Sequence, residues 1–245
     1  MITEPRLRDD LVALGVAPGD LLTVHSSLSS LGWVEGGAPT VVHALLETLG
    51  DEGTLAMPAA TPQCAAPPGA DAAPPGLPVF DRATTPTRMG AIAEAFRTWP
   101  GTVRSAHPLE SVCARGPQAD AIVADHPLPF SEGPGTPFGR LADLGSGVLL
   151  LGVGFNRCTA LHLAETRAAR RRTTSVRFAV VHDGCRKLVE TPNVADDHDT
   201  LFPAIGRDYL AAGRARRGRV GEAEALLFPM PDLVGFALAW LDRAL

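Results

Sequence analysis

Long apolar runs are missing from this chain of 245 residues. No stretch approaches the ~20 apolar residues that a membrane-spanning helix needs, and residues 1–10 lack the apolar core of a secretory signal. An excess of positive charge is also missing, because the formal net charge is -5 at pH 7, and this argues against a nucleic-acid-binding protein. We therefore expect a cytoplasmic protein with neither a membrane nor a nucleic acid as its partner.

Paired cysteines are missing as well. The 4 cysteines are Cys64, Cys113, Cys158 and Cys185, and no two of them have the CxxC spacing of a structural zinc site. We expect free thiols and no bound metal. Cys158 precedes His162 by four residues, so the two would be neighbours on a helix, as a Cys–His nucleophile pair requires. A small buried hydrophobic residue is the competing interpretation of Cys158.

Apolar segments of strand length alternate with helical patterns along the chain, which predicts an α/β protein. We expect a single domain over residues 1–245 with a loop at 59–79, where Pro, Ala and Gly dominate and no periodicity is seen. Asp183-Gly184 lies between two alternating segments, 175–181 and 186–189, which is typical of a β-hairpin. A last strand is predicted over Val220–Phe228, before the C-terminal helix.

Residues 148–165 combine a buried strand, a glycine-rich turn and a helix. Thr159, His162 and Glu165 recur every three residues, so they share one face of that helix near its N-terminus. The helix dipole disfavours the imidazolium form of His162, whereas a nearby carboxylate favours it, and a histidine balanced in this way suits a general base. A hydrogen-bonded structural histidine is the alternative.

Two further polar segments contain side chains that could bind or react with a ligand. Residues 25–32 follow a strand and precede a helix, so their hydroxyls and backbone N–H groups could bind the phosphates of a nucleotide-like cofactor. In residues 104–111, Arg104 could bind a phosphate, and His107 is either a rival general base or a structural residue. The acidic loop 193–199 could orient His162, bind a cation or simply be solvated.

Four segments together, in this order and at this spacing, resemble the aminoglycoside 3-N-acetyltransferase family: residues 24–32, 104–111, 149–165 and 196–198. The resemblance extends over nearly the whole chain. It implies the antibiotic N-acetyltransferase fold, a mixed central sheet flanked by helices that differs from the GNAT acetyltransferases. It also implies direct transfer of acetyl from acetyl-CoA to an amine, classically the 3-amino group of a 2-deoxystreptamine ring, and hence antibiotic resistance.

The resemblance also implies site residues. His162 falls on the family's catalytic histidine, Asp197 on its acidic partner, and Thr159 on a position near the thioester. The residues that match coenzyme A-binding segments are Ser26, Ser27, Leu28, Ser29, Arg104, Ser105, His107 and Ser111. We expect Asp81 and Glu165 to bind the remaining ammonium groups of a polycationic substrate, and the protein to be a monomer or a dimer.

The chain has 1 Tyr and only 5% aromatic residues, whereas drug-modifying members of the family often place aromatic rings against the acceptor. Acetylation of another amine is one alternative. A hydrolase or acyl-enzyme transferase that uses Cys158, His162 and Asp197 is a second, and a catalytically silent protein that binds coenzyme A is a third. A metal enzyme has less support, since only His162 and Glu165 suggest ligands.

Overall fold

Three short apolar segments form the parallel centre of a seven-stranded sheet. The computed structural model describes residues 1–195 and 199–245. In it, β1 (Leu21–Ser26) lies between β2 (Thr54–Pro58) and β5 (Gly147–Leu151) and is parallel to both. Burial of these strands on both faces explains their nearly continuous apolar sequences.

Antiparallel strands complete the sheet on both sides. They are β3 (Val103–Arg104), β4 (Val112–Arg115), β8 (Arg216–Val220) and β9 (Ala223–Pro229), and the sheet order is β3-β4-β2-β1-β5-β9-β8. The sheet is therefore mixed, as expected. The predicted strand Val220–Phe228 corresponds to β9, because Val220 is the last residue of β8 and a turn at Gly221 follows it. Strands β3, β4 and β8 were not predicted.

The helices cover both faces of the sheet. Their bounds are α1 Glu4–Leu14, α2 Ala38–Leu49, α3 Ala91–Arg97, α4 Ala119–Val123, α5 Pro137–Asp143, α6 Ala160–Arg167, α7 Leu201–Ala211 and α8 Met230–Ala244. Alternation along β5 shows how the layers form. Leu149 and Leu151 pack with α1, α2 and α3, whereas Val148 and Leu150 pack with helices of the other face. The α/β fold prediction is thus confirmed.

A second sheet is a hairpin of β6 (Thr173–His182) and β7 (Cys185–Val194). The turn that was predicted at Asp183-Gly184 is present, with φ angles of 52° and 71°, but both strands are longer than predicted. Segment 59–79 packs against this hairpin, since Cys64 is buried with Phe178 and the Ala66 N–H donates to the Arg177 carbonyl at 2.7 Å. In 59–79, only a 3-10 turn at Pro62–Cys64 is regular.

None of the helices in the described part of the chain is both long and apolar enough to cross a lipid bilayer. Likewise, those residues contain no group of three or more His, Cys, Asp or Glu side chains that could hold a metal ion.

Candidate active site

Two adjoining cavities lie where the three parallel strands end. The loops that follow Ser26, Pro58 and Leu151 meet at this edge of the sheet, and the Ser27 N–H donates to the Leu151 carbonyl at 3.0 Å. Ligands of open α/β sheets commonly bind at the carboxyl ends of the strands. We call the larger cavity the donor cleft and the smaller one the acceptor cavity.

The donor cleft has a volume of about 670 Å³ and is lined by Ser26, Ser27, Leu28 and Ser29, together with Gly152 and its neighbours. The predicted serine loop therefore faces a cavity. Ser30 joins the two loops, since its hydroxyl lies 3.0 Å from the Gly152 carbonyl. Only glycine fits at 152, because its φ is 69° and an added Cβ would lie 2.5 Å from the Ser30 Cβ.

Arg88 and Arg157 also line the donor cleft, and both are exposed to solvent. Guanidinium groups bind phosphate oxygens well, so these two residues supply cations that the sequence analysis did not assign. One signal was present: Arg157 occupies the position where a dinucleotide-binding loop would have its third glycine, next to a glycine-rich turn.

The acceptor cavity has a volume of about 300 Å³, and His162 and Thr159 lie in its wall. Pro58, Met89, Asn156 and Arg157 line both cavities, so ligands in the two would be in contact with a common wall. Both volumes are within or near the range of small-molecule sites.

His162 and Glu165 form a close pair on α6. The His162 Nδ1 lies 2.6 Å from the Glu165 Oε2, and the two side chains are 19% and 6% exposed. An ionised carboxylate only accepts hydrogen bonds, so this pairing favours the tautomer with the proton on Nδ1 and the basic lone pair on Nε2. The Phe202 ring packs on the imidazole at 4.8 Å between centroids, which fixes the ring further.

This geometry changes the role expected for Glu165. Glu165 was assigned to substrate, but it is 4% exposed, does not line the acceptor cavity and contacts His162 instead. Asp197, the partner implied by the family resemblance, lies outside the described residues, so its role stays a prediction. Thr159 is half-buried in the cavity wall at the start of α6.

Arg104 and Ser111 do not face the donor cleft. The Arg104 guanidinium is buried and donates to the carbonyls of Thr85 and Ala59 at 2.6 and 2.8 Å, and to the Ser111 hydroxyl at 2.9 Å. The Ser111 hydroxyl in turn donates to the Ala59 carbonyl at 2.8 Å. Because these contacts use the polar atoms internally, the geometry disfavours the assignment of the two residues to the cofactor.

Ser105 and His107 are also interior residues. The Ser105 hydroxyl bonds to the His126 Nδ1 at 2.9 Å and accepts from the Val112 N–H. The His107 Nδ1 accepts from the Leu109 and Glu110 N–H groups, and its Nε2 lies 3.1 Å from the Leu128 carbonyl. Burial lowers the pKa of His107. Neither residue lines the donor cleft or the acceptor cavity, which disfavours their assignment to the cofactor and disfavours His107 as a general base.

Asp81 is likewise placed away from both cavities. Its carboxylate accepts from the Thr84 N–H and hydroxyl at 2.7 and 2.8 Å and from the Ala83 N–H at 3.0 Å. These hydrogen bonds, above all those from Thr84, lower the pKa of Asp81. Among the described residues, the carboxylates that line the acceptor cavity are Glu110 and Glu132. Glu110 belongs to segment 104–111 but was not singled out there, and Glu132 stands in no recognisable pattern.

Cys158 is fully buried, and burial raises the pKa of its thiol to about 12. The thiolate is the nucleophilic form of cysteine, and a thiol with that pKa supplies almost none of it at neutral pH. The structure therefore disfavours the acyl-enzyme alternative. All four cysteines are free thiols.

Comparison with known proteins identifies relatives of the whole chain. Residues 23–242 match a family described as aminoglycoside 3-N-acetyltransferase. Aminoglycoside N(3)-acetyltransferase IX of Micromonospora chalcea is 34% identical over 268 residues, covering 100% of this chain and 95% of the relative. Aminoglycoside N(3)-acetyltransferase III of Pseudomonas aeruginosa is 37% identical over 256 residues, covering 98% and 93%.

Solved structures agree. The YokD protein of Bacillus subtilis superimposes with a TM-score of 0.91 at 34% identity, covering 99% of this chain and 94% of that one. The acetyltransferase AAC-IIIb, solved with coenzyme A, gives a TM-score of 0.88 at 31% identity and covers 99% and 97%. AAC-VIa, solved with sisomicin, gives 0.89 at 33% identity and covers 99% and 98%.

Proposed function

This chain belongs to the aminoglycoside 3-N-acetyltransferase family, and we propose that it transfers the acetyl group of acetyl-CoA directly to an aminoglycoside amine, the 3-amino group of the 2-deoxystreptamine ring. His162 is the general base. The observation that carries this proposal is the His162–Glu165 pair in the wall of one cavity that adjoins a second cavity fit for coenzyme A.

The donor cleft fits a phosphate-bearing carrier. The hydroxyls of Ser26, Ser27 and Ser29, the exposed arginines Arg88 and Arg157, and the glycine turn at 152 all lie in its wall, and a Cβ at residue 152 would clash with Ser30. Acetyl-CoA supplies an acetyl group activated as a thioester. The chain's contribution is to bind its phosphates and to direct the acyl end toward the shared wall.

His162 makes the amine nucleophilic. An aminoglycoside amine is mostly protonated at neutral pH and cannot attack a thioester until it loses a proton. The His162 Nε2 accepts that proton while Nδ1–H stays bonded to the Glu165 carboxylate. Glu165 thus takes the orienting and charge-stabilising role of the acid in a catalytic triad. Thr159, beside His162 in the cavity wall, donates its hydroxyl to the negative charge that develops on the carbonyl oxygen.

The acceptor side suits a polycation. Glu110 and Glu132 bring negative charge into the acceptor cavity, and the chain as a whole has a formal charge of -5, which attracts cationic ligands. Phe202 supplies an aromatic surface beside His162, although the sequence has few aromatic residues. We place the reaction in the cytoplasm, where four free thiols are expected to persist.

The test is release of the coenzyme A thiol from acetyl-CoA with a panel of aminoglycosides as acceptors. We expect turnover with several of them, acetylation of the 3-amino group in the product, and a fall in kcat of ~100-fold or more in His162→Ala, because general bases contribute that much. Coenzyme A binding should survive in the variant. Turnover that persists in His162→Ala would remove His162 as the base.

Cys158→Ala separates this proposal from an acyl-enzyme. We expect it to keep its activity, since the buried thiol takes no part. Expression of the chain in a susceptible bacterium should also raise the aminoglycoside concentration that stops growth, and expression of the His162→Ala variant should not.

A further inference from the structure

Glu132 is a buried acid at a cavity wall. It is 3% exposed, it lines the acceptor cavity, and its Oε2 accepts a hydrogen bond from the Ser131 hydroxyl at 2.6 Å. Among residues 1–195 and 199–245, no Arg or Lys side chain forms an ion pair with it. The buried His107 interacts with Glu132 electrostatically, but burial lowers the pKa of His107 and so disfavours its cationic form. Burial of an ionised carboxylate without a cation is costly, so proteins pair buried charges with other charged groups or with ligands.

The loop that carries Glu132 is held rigidly in this position. The His126 Nε2 lies 2.7 Å from the Ser131 carbonyl, and the Asn193 amide donates to the Ser131 hydroxyl at 3.0 Å. The Phe130 N–H donates to the Pro192 carbonyl at 2.9 Å, although Phe130 has an unfavourable φ of 50°. Contacts from two other segments thus outweigh local backbone strain and preorganise the carboxylate.

Glu132 and His162 line the same cavity of about 300 Å³. An occupant that fills this cavity and presents one amine to His162 therefore also reaches the wall that contains Glu132. A polyamine supplies the kind of cation that Glu132 can bind, because each further amino group is an ammonium with N–H donors for a carboxylate.

We propose that Glu132 is a specificity-determining residue that binds a second ammonium group of the acceptor, remote from the amine that reacts. This inference rests on the proposed function and refines it. The preferred acceptors carry a further amino group at the position that meets Glu132, and analogues with a hydroxyl there are poorer, because they leave the buried carboxylate without a charged partner.

Glu132→Gln tests the proposal with little disturbance, since glutamine has nearly the same volume and its Oε1 still accepts from the Ser131 hydroxyl. Aminoglycoside pairs that differ by amino or hydroxyl at one position serve as acceptors. Wild type should prefer the amino member of at least one pair, and the variant should lose that preference. For that member we expect KM and the calorimetric Kd to rise by about 10-fold or more, with kcat near the wild-type value.

Glu52→Gln is the matched control, because Glu52 is exposed on the turn before β2 and lines neither the donor cleft nor the acceptor cavity. It should behave as wild type. If Glu132→Gln has the wild-type Kd and the wild-type preference for the amino member of each pair, the inference is overturned. Turnover by wild type in the same experiment would still uphold the proposed function. If binding of the aminoglycoside depends on Glu132 but no turnover is seen, the inference about Glu132 holds and the proposed function fails. If wild type neither binds nor acetylates any member of the panel, both fail.

Discussion

Arg104 shows what one side chain can do in the interior. Its guanidinium joins the chain at Ala59, Thr85 and Ser111, three segments that are distant in sequence and that surround the two cavities. The planar group has five N–H donors in fixed directions, which is why it can satisfy several buried acceptors at once. The arginine thus stabilises the walls of the site through hydrogen bonds within the protein.

Arg104→Ala should therefore reduce stability rather than cofactor affinity. We expect the free energy of unfolding to fall by about 3 kcal/mol, since buried carbonyls lose charged donors, with the Kd for coenzyme A nearly unchanged. Urea unfolding and calorimetry measure the two quantities. Arg207→Ala, at a side chain that is 74% exposed, is the control. A weaker coenzyme A complex at unchanged stability would return Arg104 to the cofactor site.

The sequence could not distinguish these roles. Residues 104–111 form a polar segment, and such a segment can face a ligand or bind the interior of the protein. The choice depends on acceptors at Ala59, Thr85 and Leu128, whose proximity only the folded chain creates. His162 and Glu165 were brought together correctly by helical spacing, because both partners belong to one helix.

The β6–β7 hairpin contributes to the acceptor cavity but not to the donor cleft. Thr174, Val176 and Asn193 line the former, and no hairpin residue lines the latter. Phe178 attaches the hairpin to the body of the protein, since it is fully buried with Cys64 and Leu109. The hairpin is therefore an element through which acceptor binding can be altered separately from cofactor binding.

Phe178→Ala should change the KM for the aminoglycoside more than the KM for acetyl-CoA. We expect stability to fall by about 3 kcal/mol or more, as for other buried Phe→Ala changes, and KM to rise more for the aminoglycoside than for acetyl-CoA. Steady-state kinetics at a temperature where the variant is folded measure the difference. Val181→Ala on the same strand, where the side chain is 58% exposed, should leave both constants near wild type. Equal rises in both KM values would contradict this assignment.

Local patterns predicted some elements well and missed others for a physical reason. The hairpin turn was predictable because Asp183-Gly184 adopts the positive φ angles that a tight turn needs. Strand β8, with the sequence Arg-Arg-Gly-Arg-Val, has no apolar alternation. It lies at the sheet edge and is held by backbone pairing to β9, an interaction that side-chain periodicity does not record.

Across the whole molecule, buried neutral histidines link stability to pH. Burial lowers the pKa of His25 from its ordinary value of 6.5 to about 4 and that of His126 to about 3, and it also lowers the pKa of His107. Below pH 6.5 these histidines bind protons in the unfolded chain but stay neutral in the folded chain. The histidines' contribution to stability is therefore complete above pH 6.5 and is lost as the pH falls toward the folded-state values.

We expect the free energy of unfolding to fall between about pH 6.5 and about pH 5 by up to ~1.4 kcal/mol per pH unit for each of these histidines. Urea unfolding at a series of pH values measures this slope. In His25→Leu the slope of the unfolding free energy against pH should decrease by the contribution of one histidine, up to ~1.4 kcal/mol per pH unit. His43→Leu is the control, because His43 is 46% exposed. A slope that is the same in wild type and in His25→Leu would contradict the explanation.

The His162–Glu165 pair lies within one turn of α6, whereas the carboxylates and the hairpin residues of the acceptor cavity come from other segments. Mutation can therefore change the His162–Glu165 pair and the rest of the acceptor cavity separately. If the proposed function holds, substitutions at Glu132, at Glu110 or along β7 change which antibiotic is modified while the His162–Glu165 pair stays intact. Proteins with this fold can therefore evolve to modify new drugs through a few substitutions in the cavity wall, while the His162–Glu165 pair is unchanged.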